Sequence, residues 1–409
     1  MSEVVTLNPL LQEAGDVPPP RPRSRGLVAL AVHDALQQTT VRLGLAWLAL
    51  VIVLAVFAPF LANSSPILMK ADGRWSSPLL QHLQWTDVFL LTASPLTLWL
   101  MVGFKKLSGA IRLLIIGVML LLIGSVSFAA LDRRSDQTMV YSQYREMAAA
   151  GRVQWVLNTP IPYSPRDYNR DSFDIDNPPP NAPGRQHWMG TEQNGGDIAS
   201  RMIHACRVAL SVGFIAEGVS LVIGVTVGGL MGYFAGIVDL LGMRLIEIFS
   251  SIPQLYLLLT FVAFFGRNLY LIMLIIGITS WTGYAAFIRA QFLSLRNQDF
   301  VQAARASGLP TWRIVFGHML PNGVSPVLVS ATFGVASAIM SESALSFLGV
   351  GLVDDPSWGQ MLNQALGEAR FYWWLGLFPG MAIFLTVLSY NFIGEALRDA
   401  LDPRVHGRE

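Results

Sequence analysis

The chain has 409 residues, of which 53% are hydrophobic and only 13% are charged. Soluble proteins carry about a quarter charged residues, so this composition indicates a membrane protein and excludes an ordinary soluble domain. A net charge of +1 without a basic tract excludes a nucleic-acid-binding protein, and the one cysteine, Cys206, excludes an internal disulfide.

Residues 1–40 are polar and Pro-rich up to Arg25, which predicts a disordered start followed by at most an interfacial helix. Beyond them, eight apolar runs approach the roughly 20 residues that a membrane-spanning helix needs. They are 41–61, 87–104, 111–131, 208–233, 243–265, 269–290, 324–349 and 374–397. The second run is the weakest, because it is short and contains Pro95. The pattern predicts an all-α polytopic membrane protein of about eight helices.

Basic residues in short loops predict the orientation, because Lys and Arg are retained on the cytoplasmic side. They cluster before the first span, after the second, around the connection from the sixth to the seventh, and after the last. These residues are Arg21, Arg23, Arg25, Arg42, Lys105, Lys106, Arg112, Arg289, Arg296, Arg305, Arg313, Arg398, Arg404 and Arg408. Eight spans that start inside place all of them, and both termini, in the cytoplasm.

This topology puts residues 132–188 on the exported side. Their richness in Pro, Asn, Asp and Tyr favours turns and extended backbone over helix. Two interpretations stay open for the stretch, a partly ordered linker and a docking surface for an external partner.

Four glycines recur every fourth residue in the fourth span: Gly224, Gly228, Gly232 and Gly236. Such small-residue stripes let membrane helices approach closely. The stripe therefore predicts close packing of this span in a tightly packed membrane domain.

The connection between the sixth and seventh spans has its own helical pattern. Residues 299–307 predict a short helix, and Gly308 suits the left-handed position that ends one. Pro310 suits the first turn of a second helix, which Pro321 is expected to close. The spacing i, i+3, i+4 and i+7 predicts one apolar face made of Trp312, Val315, Phe316 and Met319. Two such helices form a knob that can enter a groove on another protein.

The same connection resembles the coupling loop of ABC-importer permeases. The matching positions are Ala303, Ala304, Gly308, Ile314 and His318-Met-Leu-Pro321-Asn322. Gln302 stands where the family usually has Glu, so an ion pair at this position is lost, although an amide still donates and accepts hydrogen bonds.

Three further stretches are similar to the C-type permease subunit of dipeptide and oligopeptide importers. They are Met189-Gly-Thr-Glu-Gln-Asn-Gly-Gly-Asp-Ile-Ala-Ser-Arg201, Glu342–Gly351 with Pro356-Ser-Trp-Gly-Gln360, and Trp374–Pro403. The Gly195-Gly196 variant, together with Pro66–Trp75, is most similar to the branch that imports oligopeptides and the peptide antibiotic microcin C.

The resemblance implies a six-helix type I ABC-importer core with two extra N-terminal spans. It divides the chain into an N-terminus (1–40), N-terminal spans (41–131), an exported region (132–206) and a permease domain (207–402) with its coupling loop at 298–322. The implied partners are a second permease in a heterodimer, two ATP-binding subunits, an extracytoplasmic substrate-binding protein and membrane lipid. No cofactor is expected in this chain, since ATP would be bound by the partners, and the implied location is the bacterial cytoplasmic membrane.

Two carboxylates within the apolar runs, Glu217 and Glu342, are candidates for the substrate pathway, because acids are costly inside membranes and often functional there. Glu342 belongs to a family motif, which favours a structural or gating hydrogen bond. For Glu217 the hypothesis is a place on the pathway where it meets a peptide amine.

Motifs of catalysis are lacking in the sequence: it contains no P-loop, H-E-x-x-H, C-x-x-C or G-x-S-x-G. The leading interpretation is a non-catalytic permease subunit that imports peptides. The alternatives are an intramembrane enzyme or a proton-coupled transporter, or an ABC importer whose cargo is dipeptides, nickel chelates or murein peptides.

Overall fold

The computed structural model describes residues 36–103, 109–131, 140–169, 178–352, 355–367, 370 and 372–401. The predicted disordered start up to residue 35 lies outside the described residues. So do 132–139 and 170–177 of the predicted exported stretch.

The described chain is mainly helical, with fifteen α-helices numbered here in chain order. They are α1 Thr39–Leu61, α2 Pro78–Gln81, α3 Trp85–Gly103, α4 Gly109–Leu131, α5 Gln143–Ala149, α6 Ile198–Phe234, α7 Gly236–Ser251, α8 Gln254–Phe265, α9 Leu269–Leu295, α10 Asp299–Ala306, α11 Thr311–Ile314, α12 Leu320–Gly323, α13 Ser325–Phe347, α14 Trp358–Leu366 and α15 Trp373–Leu401. A π-helical turn, Val315–Met319, joins α11 to α12. The predicted all-α class is confirmed, with one small sheet that the sequence pattern did not predict.

Six of the described helices are long and apolar enough to cross a membrane: α1, α4, α6, α9, α13 and α15. The consecutive helices α7 and α8 raise the number to seven if they count as one span. Helix α3 corresponds to the weakest predicted span and is not among them, although it runs for 19 residues with Pro95 inside.

The predicted span 243–265 is not one continuous helix. Its two halves, α7 and α8, are bent by 80° at a short break. The cause is local, because Pro253 lacks an N–H and disfavours helical backbone at the residue before it. Ile252 accordingly adopts φ −92° and ψ 121°, which is extended.

Helices α6 and α9 form the most extensive contact of the fold, and the glycine stripe lies in it. A methyl group at Gly224 would lie 2.5 Å from Tyr284 Cβ, and one at Gly232 would lie 2.5 Å from Phe292 Cβ. At Gly228 a methyl group would overlap the Ala285 carbonyl. These three glycines confirm the predicted close approach.

The fourth glycine of the stripe, Gly236, does not take part in that contact. It follows the end of α6 at Phe234, and its φ of +57° lies in the left-handed region. A methyl group there would meet open space. Its role is the turn into α7, where glycine carries no steric penalty.

Helix α6 is central, since α1 and α13 also pack on it and α15 packs on α1 and α13. One apolar core joins α1, α6, α13 and α15, and a second joins α6, α8, α9 and α13. At 37 residues α6 is about 55 Å long, well beyond a bilayer core of about 30 Å. The helix is therefore longer than a bilayer core requires, and its first turn is capped by Asp197.

A three-stranded antiparallel sheet lies just after α1, with β1 Leu68–Ala71 between β2 Arg74–Ser76 and β3 Val153–Leu157. The buried Asp167 carboxylate ties the neighbouring loop to this region. It accepts from the Ser64 hydroxyl at 2.5 Å and pairs with Arg145 at 2.7 Å. Residues 140–169 of the predicted exported stretch are thus ordered by pairing with the chain that follows α1.

The extra helices α3 and α4 pack on each other and are joined to the rest by Arg207 of α6. The Arg207 guanidinium forms an ion pair with Asp87 of α3. Its Nε also donates to the Ala55 carbonyl of α1 at 2.6 Å. One half-buried arginine therefore holds three helices together.

We expect Gly228→Ala to destabilise the protein by about 1–3 kcal/mol, because the added methyl group overlaps backbone and forces α6 away from α9. The matched control is Gly218→Ala on the same helix, where a methyl group meets open space. Thermal unfolding in detergent should show a lower midpoint for the first variant and an equal or higher one for the second. Equal midpoints for wild type and Gly228→Ala would contradict this packing.

Candidate functional site

The 298–322 segment begins as the sequence predicts. Helix α10 spans Asp299–Ala306, and Gly308 follows it with φ +72°. The Gly308 N–H donates to the Arg305 carbonyl at 2.9 Å, which closes the end of α10. Pro310 then caps α11 from extended backbone.

The expectation that Pro321 closes the second helix is wrong. The backbone stays helical from Thr311 to Phe347, since the junction residues Val315, Leu320 and Val324 all have right-handed helical dihedrals. Pro321 cannot donate an intrahelical hydrogen bond, and the wider π turn before it accommodates this loss. The segment therefore continues directly into α13.

The predicted single apolar face is split, because the π turn shifts the helical register. Met319 is fully buried, whereas Trp312 is 61% exposed and Phe316 is 58% exposed. Ile314 takes the inward place beside Met319. The outward pair Trp312 and Phe316 is left as an apolar surface, called here the outer pair.

The buried residues of the segment fix it to the ends of α6 and α9. Ala304, Ile314 and Met319 belong to one core with Tyr233 of α6 and Phe292 of α9. The segment is therefore a rigid extension of this helix pair.

The remaining predicted coupling residues lie nearer the surface. Gln302, Ala303, Gly308 and Pro321 are exposed, and His318 is half-buried. The His318 carbonyl accepts from the Asn322 amide at 2.6 Å.

Gln302 has a partner that a glutamate in its place would not have. Its Nε2 donates to the Arg296 carbonyl at 2.8 Å, at the C-terminus of α9. A carboxylate cannot donate this bond, and it would face the negative end of the helix dipole. The amide thus caps α9 and fixes the angle between α9 and α10.

An apolar groove of about 370 Å³ lies beside the outer pair, between the segment and the last turns of α6. Val225, Gly229 and Phe234 line it from the α6 side, opposite Trp312 and Phe316. Knob and groove are therefore adjacent on the surface at this end of the bundle.

The other family-like motifs meet at the opposite end of α6. Buried Arg201 pairs with Glu192 at 3.0 Å and donates to Gln360 at 3.3 Å. The Trp374 indole donates to the Thr191 carbonyl at 3.3 Å. Motifs that are distant in sequence thus share one buried polar network, which gives them a structural reason to occur together.

Glu342 lies in that same half of the chain, at a corner between α13 and α14. It is 2% exposed and accepts from the Ser346 hydroxyl at 2.6 Å. Ser343 and Ser357 are its other polar neighbours, and Ser357 caps α14. Its placement fits the structural hydrogen bond favoured from the sequence.

Glu217 lies elsewhere, on a cavity of about 400 Å³ between α6, α9 and α13, called here the Glu217 cavity. Tyr284 of α9 and Ser330 of α13 share its wall, and Glu342 does not line it. The two acids proposed for one pathway are therefore not brought together. No signal in the sequence marks Tyr284, because a tyrosine in an apolar run is ordinary.

No group of three His, Cys, Asp or Glu is placed to hold a metal ion within the described residues.

Residues 224–407 match the family described as "Binding-protein-dependent transport system inner membrane component". The dipeptide transport system permease protein DppC of Alkalihalophilus pseudofirmus is 38% identical over 54% of this chain and 74% of its own length. The oligopeptide transport system permease protein OppC of Haemophilus influenzae is 40% identical over 53% of this chain and 70% of its own.

A third relative extends the similarity towards the N-terminus. The inner membrane ABC transporter permease protein YejE of Escherichia coli is 31% identical over 87% of this chain and 92% of its own length. A match of this length reaches well beyond the permease domain at 207–402.

We expect Gln302→Glu to loosen the junction of α9 and α10, because the Arg296 carbonyl loses its donor at a cost of about 0.5–1.5 kcal/mol. Hydrogen–deuterium exchange of the peptide covering 292–306 should be faster than in wild type. The control is Gln298→Glu, which adds the same charge at an exposed side chain that makes no cap hydrogen bond. Equal exchange in the two variants would show that the Gln302 amide has no such role.

Proposed function

Because the chain belongs to the family of inner-membrane components of binding-protein-dependent transport systems, we propose that it forms one half of a translocation pathway for peptides. It is the permease subunit of an ABC importer and a multi-span protein of the bacterial inner membrane. The intramembrane enzyme considered from the sequence is set aside by this membership. Peptide cargo is proposed on the names of the relatives, which transport dipeptides and oligopeptides.

The proposed mechanism depends on one observation: the outer pair is exposed on a segment that is packed against α6 and α9. Exposed Trp312 and Phe316 lie on a segment whose inner side is fixed to α6 and α9 and whose backbone continues into α13. Aromatic side chains of this kind are typical anchors of protein interfaces. In this proposal an ATP-binding subunit contacts the outer pair, and the predicted coupling residues 302–321 form the knob that it holds.

As an ABC-importer subunit the chain works with other subunits of the transporter. We propose that its partners are a second permease, two ATP-binding subunits that bind the ATP, and an extracytoplasmic substrate-binding protein. In this assignment the 298–322 segment and both termini face the cytoplasm, which follows the distribution of Lys and Arg. The network around Arg201 then lies on the exported side, where the binding protein delivers cargo.

Energy transfer follows from the continuity of the backbone. When the ATP-binding subunits close, they displace the 298–322 segment, and the helical backbone from Thr311 to Phe347 passes the displacement along α13. Helix α13 packs on α6 and α15, so its movement shifts the centre of the bundle. Packed helices of this kind move between discrete arrangements, here inward-open and outward-open.

The proposed function is tested with the complete complex in liposomes, supplied with ATP and its binding protein. We expect uptake of radiolabelled trialanine that stops when ATP is replaced by a non-hydrolysable analogue. A complex that hydrolyses ATP in response to its binding protein but takes up no peptide would refute peptide cargo. Uptake of a nickel chelate or a murein peptide in place of trialanine would select the narrower alternatives.

We expect the double change Trp312→Ser and Phe316→Ser to weaken binding of the ATP-binding subunits by about 10-fold or more, because both apolar anchors of the interface are lost. Co-purification from detergent measures this binding. The control is Leu366→Ser, which removes a side chain that is 69% exposed on α14, at the opposite end of the bundle. Membrane insertion should be unchanged in both proteins, and undiminished co-purification of the double variant would exclude the outer pair from the interface.

A further inference from the structure

The Glu217 cavity contains a carboxylate whose charge is not balanced from within the chain. Glu217 lies on α6 and is only 5% exposed. Its Oε1 has no hydrogen-bond partner among the described residues. The Tyr284 hydroxyl, on the same cavity wall, donates to the Ser330 carbonyl at 3.3 Å. A carboxylate that lines the cavity is therefore left with one oxygen that has no donor among the described residues.

The cavity wall offers polar groups to this carboxylate but no cation. Ser280, Tyr284, Ser330 and Ser337 are its other polar lining residues in the described structure, and none of the lining residues is Lys, Arg or His. A buried carboxylate without a partner is costly, and such acids in membranes pair with a cation or line a polar path. Within the described chain, no lining residue supplies that cation.

The space beside the carboxylate is kept open by a glycine. A methyl group at Gly334 of α13 would overlap both Glu217 Oε2 and the Tyr284 hydroxyl. Across the cavity, a methyl group at Gly283 would meet nothing within 4 Å. The absence of a side chain at 334 is thus what gives the carboxylate access to the cavity.

We propose that the Glu217 cavity binds the ammonium group of the transported molecule. Under the proposed function, on which this inference rests, the group is the N-terminal ammonium of a peptide. Three donors on nitrogen match the unpartnered Glu217 Oε1 and the serine hydroxyls around it. A volume of about 400 Å³ lies within the range of small-ligand sites and accommodates the first residues of a peptide but not a long one.

Binding is measured on the purified complex of permeases and ATP-binding subunits without the substrate-binding protein, so that selectivity of the binding protein does not enter. The probes are radiolabelled trialanine and its N-acetyl derivative, which lacks the ammonium. We expect wild type to bind trialanine at least 10-fold more tightly. Glu217→Gln should lower trialanine affinity to that of the acetylated peptide and leave the acetylated peptide unaffected, whereas Glu217→Asp should retain part of the preference.

A second pair of variants tests the same site without removing the charge. Gly334→Ala, which crowds the carboxylate, should reduce the preference for trialanine, and Gly283→Ala, which meets open space, should preserve it. Size-exclusion chromatography confirms that each complex is assembled.

Two outcomes overturn the proposal. The first is that Glu217→Gln leaves the preference for trialanine intact. The second is that Glu217→Gln weakens binding of both peptides equally, because equal weakening indicates a structural role or pairing with a basic residue of the partner permease. Failure of the site is distinct from failure of the proposed function. If only the site fails, wild type still takes up trialanine in liposomes with ATP and the binding protein. If the proposed function fails, wild type takes up none.

Discussion

The contact between α6 and α9 is the constraint on which the rest of the structure depends. Gly224, Gly228 and Gly232 bring the two helices so close that a methyl group at any of them would overlap α9. This proximity places Glu217 beside Tyr284 and, further along, forms the platform of Tyr233 and Phe292 on which the 298–322 segment rests. In membranes, where apolar burial against lipid gains little, such close packing is a main source of helix association. The contact between α6 and α9 therefore determines the positions of both the Glu217 cavity and the 298–322 segment.

Helix α13 connects these two regions. Its first turns continue the knob, and its middle contributes Ser330, Gly334 and Ser337 to the Glu217 cavity. A displacement of the knob by a few ångströms therefore changes the spacing between α13 and the carboxylate. In the proposed transporter, this is the shortest physical route by which ATP hydrolysis in a partner alters the affinity for cargo. The buried network of Arg201, Glu192 and Gln360 lies at the far end, where it holds the opposite ends of the helices together.

Much of this arrangement could be predicted from the sequence, because it depends on local chemistry. The left-handed Gly308, the helix at 299–306 and the packing of the glycine stripe all follow from properties of single residues or short periods. The π turn before Pro321 and the bend at Pro253 were missed, since apolar periodicity does not show where backbone hydrogen bonds rearrange. The surroundings of Gln302 and Glu217 were beyond prediction for another reason: they are formed by tertiary neighbours, the Arg296 carbonyl and Tyr284.

The ion pair between Arg207 and Asp87 has a consequence for the bilayer around this subunit. It fastens α3 and α4 to one side of the central helix, and only 6% of the apolar window of α4 is buried within the described chain. Helices α3 and α4 therefore add exposed apolar surface to the core of the subunit, and they add it on one side only. In the proposed importer, this added flank widens the membrane cross-section of the subunit on that side only.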